Sequence, residues 1–342
     1  MKYRSQFPAL QFLLPTMDNH YYYLLCAAIA PVIAGLGYIF AKDRYNKEPV
    51  GMLLKAFFCG VLSIIPICIV EGILTLIFVS FFDQPSVFFE SFWNAFIVAA
   101  CTEESFKLYL LYNLIWKSRE FDERFDGIVY GVFVSLGFAC AENIEYVLGT
   151  LLEGGAFAAY YISFGRAIFA IPCHFFCGVI LGYYLALAKF ENVDKNDKNA
   201  RKGVIFKGLF YAILFHGIYD FILMYQAFSQ RSVGAENNAT SEMSNIGWGL
   251  FLAFLFFNFI FWRYGRKRIN HLAYLLRLNS SEEPSAFVTC SYCGKTYALN
   301  INACPNCNQL TEKTILAQNN SSSDSENQNL HKLNKYYSKH DI

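Results

Sequence analysis

Long apolar runs alternate with short polar segments along the chain, and the runs set its architecture. Seven of them approach or exceed the roughly 18–20 residues that carry a helix across a bilayer. They are Tyr21–Ala41, Met52–Phe82, Phe92–Trp116, Asp126–Leu152, Phe157–Lys189, Gly203–Phe228 and Ile246–Tyr264. The pattern predicts an all-α polytopic membrane protein with about seven transmembrane helices. The second and fifth runs are longer than one span requires, which predicts tilt or a break. Pro66 and Pro172 are the expected break points, because proline removes a backbone donor and crowds the preceding turn. Gly127, Gly131 and Gly137 fall at spacings that let helices approach closely in lipid.

Composition agrees with this reading: 55% of the 342 residues are hydrophobic and 16% charged, which excludes an ordinary soluble domain. The net charge of +1 gives no reason to expect a nucleic-acid partner. The first run follows a short mixed stretch, residues 1–20 with Pro8 and Pro15, that is expected to lie at the interface, and it reads as a first span rather than a signal peptide. Lys and Arg set the expected orientation. Lys42, Arg44 and Lys47 follow the first span; Lys117, Arg119 and Arg124 follow the third. A basic cluster from Lys189 to Lys207 follows the fifth, and Arg263, Arg266, Lys267 and Arg268 end the seventh. The alternate loops are nearly bare, so the chain is expected to be multi-pass in the cell membrane, N-terminus extracytoplasmic and C-terminus cytoplasmic.

The C-terminal part changes character. Cys290-x-x-Cys293, ten residues, then Cys304-Pro-Asn-Cys307 has the spacing of a four-thiolate zinc ribbon. A small β ribbon holding a structural zinc ion is expected, serving as a docking module for a cytoplasmic partner; four thiolates leave no open position for catalysis. The other seven cysteines are scattered in apolar runs, as small hydrophobes are. The expected organisation is an interfacial segment 1–20, a transmembrane domain 21–265, a linker 266–285, the ribbon 286–312 and a disordered tail 313–342, rich in Asn, Ser and charge.

Candidate chemistry lies where polar groups interrupt the spans. A charge near mid-membrane costs about 2.5–3.5 kcal/mol on insertion scales, and such groups mark ion paths, proton relays or reaction centres. Glu103 stands thirteen residues before Trp116, Glu142 sixteen after Asp126, His174 fifteen before Lys189 and His216 thirteen after Gly203. At about 1.5 Å per residue, four different spans place a polar group roughly 20–24 Å from the cytoplasmic boundary. Glu103 and Lys107 share a helix face at i, i+4, as do His216 and Asp220, whereas Glu104 points about 100° away from Glu103. Arg166 precedes His174 by two turns and Asn143 adjoins Glu142. Glu71 in the second span is given no role.

These residues resemble, in order, the motifs of the PrsW family of intramembrane proteases, within the wider CAAX-protease and bacteriocin-processing superfamily. The loop Asp43-Arg44-Tyr45-Asn46-Lys47-Glu48-Pro49 comes first, and Glu103-Glu104-Ser105-Phe106-Lys107 follows as EExxK. Then come Phe125–Gly131 with Gly137-Phe138-Ala139 and Glu142-Asn143, Arg166 with Pro172-Cys173-His174, and His216-Gly217-Ile218-Tyr219-Asp220. The likeness spans about Ala41 to Phe221, and Lys107, where the CAAX branch carries arginine, places it in the PrsW branch.

The resemblance implies a glutamic-type membrane hydrolase that cuts membrane proteins on the extracytoplasmic side, as relatives cut an anti-sigma factor, with no cofactor in catalysis. It implies Glu103 as the base that takes a proton from water, Glu104 sharing or orienting that proton, His174 holding the water and His216 stabilising the oxyanion. Wider-superfamily members often carry Asn where this chain has Asp220; an ionised Asp cannot donate, so Asp220 is assigned to orienting His216. Lys107, Glu142, Asn143 and Arg166 are supporting residues, with Arg166 expected to pair with Glu142. Other classes compete: a metalloprotease on the same residues, disfavoured because HExxH is absent; a non-catalytic sensor or scaffold with a docking ribbon; and a transporter, disfavoured because no inverted repeat is evident.

Overall fold

The computed structural model describes residues 19–43, 47–190, 198–234, 242–280, 287–289 and 296–298. The chain divides into two units, Met1–Leu276 and Arg277–Ile342. The first is helical: α1 (Asn19–Lys42), α2 (Val50–Leu62), α3 (Ile64–Phe81), α4 (Val87–Phe92), a π-helix π1 (Trp93–Cys101), α5 (Thr102–Ile115), α6 (Arg124–Gly165), a second π segment π2 (Arg166–Ala170), α7 (Ile171–Phe190), α8 (Lys198–Gly234) and α9 (Glu242–Ser280). In the second unit, Phe287–Thr289 pairs antiparallel with Thr296–Ala298. Cys290, Cys293, Cys304 and Cys307, the expected zinc ligands, lie outside the described residues, as do residues 1–18 and the tail from 299.

Among the described residues five helical stretches, not seven, are long and apolar enough to cross a membrane: Tyr21–Lys42, Val50–Phe81, Arg124–Phe190, Asn199–Gln230 and Trp248–Ala273. Two things account for the difference. The expected third span is helical from Val87 to Ile115, but Glu103, Glu104 and Lys107 dilute its apolar character. The expected fourth and fifth are joined in one 67-residue stretch. That stretch is a hairpin. Gly155 interrupts α6 with φ 77° and ψ −179°, a backbone region open to glycine and costly for other residues. The arms return antiparallel about this point: Gly127 meets Gly182, Gly131 meets Gly178, and Ser135 Oγ donates to the His174 carbonyl at 2.7 Å.

This hairpin is the core. Of its most apolar window 83% is buried, against 17–28% in the other four stretches. The glycines make that packing possible, since a Cβ at Gly127, Gly131, Gly178 or Gly182 would overlap the opposite backbone. Gly60 and Gly137 do the same for α2 against α6. The outer helices carry their apolar side chains outward, Leu76, Phe81 and Phe256 among them, which suits a lipid surround rather than water.

The second run breaks near its proline, and the fifth widens instead of breaking, each at the carbonyl the proline cannot satisfy. The second run breaks at Ser63, between α2 and α3, and the orphaned carbonyl four residues before Pro66 is that of Leu62. Ser63 Oγ caps the joint by donating to Gly60 O at 2.6 Å. The carbonyl four residues before Pro172 belongs to Ile168, inside π2. The wider π turn is how the helix accommodates the missing donor.

Candidate active site

Glu103 and Glu104 open α5 directly after π1, and that junction aims them inward. Phe78 stacks on Trp93, fixing π1 against α3. On the other side Gly217 of α8 has no side chain, and a Cβ there would overlap the Phe96 ring. The resulting close approach brings His216 to the carboxylates. His216 Nδ1 lies 2.8 Å from Glu104 Oε1 and 3.9 Å from Glu103 Oε2, while its Nε2 lies 3.2 Å from Asp220 Oδ2. Both ring nitrogens thus face carboxylates: either both donate or one carboxyl holds the proton.

Lys107, one turn on, sits at the centre. Its ammonium donates to Glu103 Oε2 at 3.0 Å and Glu104 Oε1 at 2.8 Å, and meets His174 Nδ1 at 3.2 Å. An ammonium has no lone pair, so His174 Nδ1 accepts and the imidazole proton is on Nε2. That Nε2–H points at Glu142 Oε2, 2.9 Å away. The same oxygen accepts from Arg166 Nη2 at 2.7 Å, the pairing expected from the sequence. Arg166 Nε donates to Asn143 Oδ1 at 2.6 Å, and Asn143 Nδ2 donates to Ala28 O at 2.7 Å, tying the chain of contacts to α1.

The expected residues of the membrane site therefore meet, while the four ribbon cysteines lie outside the described residues. Glu103, Glu104, Lys107, Asn143, His174 and His216 are buried, and the His174 and His216 ring centroids lie 5.1 Å apart. Two expectations change in detail. His174, expected to hold water, and His216, expected to face the oxyanion, have both ring nitrogens engaged: by Lys107 and Glu142 for His174, by Glu104 and Asp220 for His216. Glu104 shares Lys107 with Glu103 and, about 100° round the helix, also takes its own partner in His216. Sequence reasoning gave no role to three contributors. Tyr146 lies under the Arg166 guanidinium at 4.1 Å, Phe138 under the Lys107 ammonium at 4.3 Å, and half-buried Glu71 on α3 feels the charges of Glu103 and Glu142. The signal for Tyr146 was its i, i+4 spacing from Glu142, visible once that carboxylate is known to matter, whereas Phe138 stood in the Gly137-Phe138-Ala139 motif with no role attached.

The loop before α2, flagged by its motif, is bound to α6 away from this cluster. Tyr130 hydroxyl donates to the buried Glu48 carboxyl, and Glu48 N–H donates to Asp43 Oδ2 at 3.3 Å. Burial pushes the Glu48 carboxyl up to about 7 and raises Asp43 as well.

One atom each from Glu103, Glu104, His174 and His216 lie within 4.8 Å of one another, and two carboxylates with two imidazoles are a donor set zinc accepts. Each imidazole also has a carboxylate on its other nitrogen, a common outer support for metal ligands. The Lys107 ammonium, however, contacts three of those four residues and already supplies the positive charge there. The residues do not fit a metal while Lys107 is folded in.

The chain matches the model of a family described as PrsW family intramembrane metalloprotease over residues 48–261, which include every residue of the cluster. It is 40% identical over 200 residues to Protease PrsW of Bacillus subtilis (strain 168), an alignment covering 58% of this chain and 82% of that protein. Protease PrsW of Clostridioides difficile (strain 630) is 34% identical over 201 residues, covering 59% and 79%. That of Halalkalibacterium halodurans is 35% identical over 201 residues, covering 59% and 83%. No solved structure matches. A buried acid–imidazole–lysine cluster in an apolar helical bundle, lying wholly inside the matched residues, places the chain in the PrsW family.

Proposed function

We propose that this chain is a multi-pass intramembrane protease that hydrolyses peptide bonds of membrane proteins with a water activated by the Glu103–Glu104 pair. The observation that carries the reading is the convergence of two adjacent carboxylates, Lys107 and two histidines from three separate helical segments in one buried cluster. Such a group is costly in lipid and is kept where it does chemistry.

In this reading Glu103, bonded only through Oε2, takes a proton from water as the water oxygen attacks the carbonyl carbon. The C–N bond breaks and Glu103 returns the proton to the amine. Glu104, held by Lys107 and His216, anchors the pair, and its buried Oε2 lacks a partner, leaving an acceptor for the water's second hydrogen. His216, held by Glu104 at Nδ1 and by Asp220 at Nε2, keeps the carboxylate pair in place. His174, fixed by Glu142, sets the Lys107 ammonium in place. No step is routed through a metal.

Seven spans make a consistent membrane arrangement: the hairpin Arg124–Phe190 counts twice and Val87–Ile115 crosses despite its charges. In this reading the basic loops stay in the cytoplasm, which puts the N-terminus outside, the site in the outer half and the ribbon in the cytoplasm. An anti-sigma factor is the substrate type suggested by the family, and the ribbon cysteines would hold structural zinc and dock a cytoplasmic protein.

The test compares membrane proteomes of cells making the wild-type and Glu103→Gln proteins. Loss of a cleavage product with unchanged expression and unfolding temperature supports the reading; normal cleavage by the variant removes glutamate activation. The four-residue donor set favours a metalloprotease as the second reading. Replacing the four ribbon cysteines by serine clears the background, and a stoichiometric, activity-linked metal in that protein would establish it.

A further inference from the structure

A cavity of about 620 Å³ opens between α1, the π2–α7 junction and α9. Ala34 and Tyr38 line it from α1, Ile168 and Phe176 from π2 and α7, and Trp262 and Arg266 from α9. It belongs to neither the acid cluster nor the Glu48 loop. Its walls are apolar with one charged group, Arg266. That guanidinium lies over the Trp262 ring at 5.0 Å, is exposed, and pairs with no carboxylate among the described residues.

The three walls run in the same direction. Phe169 meets Phe254 and Phe176 meets Phe261, so α7 and α9 are parallel, and α1 and α7 both run antiparallel to the first arm of α6. The C-terminal ends of all three helices therefore lie at one end of the cavity. Arg266 stands there, and so does Lys42, whose ammonium is 5.8 Å from the Tyr38 ring. Arg266 lines that end of the slot itself, and Lys42 follows the lining residue Tyr38 by one helical turn on α1.

We propose that this cavity is a binding site for an anionic phospholipid, an acyl chain occupying the slot and the phosphate lying against Arg266, with Lys42 adding positive charge at the same helix ends. Basic pockets between transmembrane helices recognise such headgroups, and aromatic side chains mark the same interfacial level. The wall chemistry favours a lipid as occupant: apolar side chains from Ala34 to Trp262 suit an acyl chain, and the exposed Arg266, with no carboxylate partner among the described residues, suits an anionic headgroup. Because Ile168 and Phe169 of π2 form part of the wall, the lipid props the turn that carries Arg166.

The experiment uses the full-length protein purified in detergent. Native mass spectrometry follows retention of added dioleoyl phosphatidylglycerol against dioleoyl phosphatidylcholine, with unfolding temperature as a parallel readout. The wild type should keep one phosphatidylglycerol with at least tenfold preference and unfold at higher temperature with it. Arg266→Glu should lose that preference, with Arg266→Gln as the milder variant should Arg266→Glu misfold. Arg263→Glu, an exposed charge on the same helix outside the cavity lining, should keep it. Ala34→Trp, which fills the slot, should reduce retention of both lipids. Equal retention of the two lipids by the wild type overturns the proposal. So does an equal loss in Arg263→Glu and Arg266→Glu, which would mean general surface attraction. Unchanged retention in Ala34→Trp also overturns it, and if that variant blocks cleavage, the slot serves substrate instead.

Discussion

At the residue scale, the cluster is organised by one cation. Lys107 has a nearly fully buried side chain and touches three charged or titratable partners. Removing one member of a buried ionic group costs about 3–5 kcal/mol, because the remaining charges lose their compensation. Lys107→Met should therefore lower stability by about that amount in detergent unfolding, and the variant should bind zinc where the wild type does not, read by metal analysis in the ribbon-cysteine-free background. A wild-type protein that binds zinc equally well would show that the ammonium does not fill the place of a metal. Glu48 supports a second expectation at this scale. Its carboxyl titrates near 7 in the folded chain, raised by burial, with Asp43 and Asp122 adding to the rise and the Tyr130 and Asp126 hydrogen bonds opposing it. A raised carboxyl favours the protonated native state, so its contribution is complete below about pH 4.3, the unfolded value, and is lost as pH rises through 7. Wild-type stability should fall by about 1–3 kcal/mol across that window relative to Glu48→Gln, which keeps an acceptor for Tyr130 but cannot titrate. Parallel pH–stability curves would refute the assignment.

At the scale of elements, local irregularities do the positioning. Two π segments stand directly before the two stretches that carry Glu103 and His174, and Gly155 folds α6 back so that Glu142 can meet Arg166. Gly155 has open space around it, so Gly155→Ala should cost about 1–3 kcal/mol from backbone conformation alone. Gly149 also has open space but ordinary helical conformation, and Gly149→Ala should be neutral or stabilising by about 0.5–1 kcal/mol. Thermal unfolding of the two variants separates strain from crowding; similar shifts in both would rule out the hairpin turn as the strained point. The runs that contain these irregularities were legible as helices, and the prolines marked two of the joints. The π geometry was not legible, because residue hydrophobicity repeats too coarsely along a fully apolar run to tell 3.6 residues per turn from a wider winding.

At the scale of the whole molecule, the hairpin of α6 and α7 is a buried pillar, and the outer helices present apolar side chains to lipid around it. The proposed orientation can be tested on the intact cell. A cysteine replacing Asp83, between α3 and α4, should react with a membrane-impermeant maleimide added outside, and one replacing Lys117, after α5, should not, each measured above the parent's background. Labelling in the reverse pattern would invert the membrane arrangement and move the site to the inner half. The span count shows how far sequence reached at this scale. Hydropathy found each apolar run, but whether neighbouring runs are one hairpin and whether a charged run crosses depend on what packs against them.

The sequence alone determined which segments are apolar helices and at what depth each polar side chain lies along its own helix. Both follow from properties local to the chain: the cost of a charge in lipid and the fixed rise per residue. It also placed Glu103 and Lys107 on one face, and His216 and Asp220 on another, because those pairs are one turn apart. Only the tertiary structure decided that Lys107 meets His174, sixty-seven residues away, and that Glu142 bridges Arg166 and His174. Which helices adjoin, and how each is rotated about its axis, depends on glycine-to-backbone packing between segments, and no periodicity within one segment carries that information.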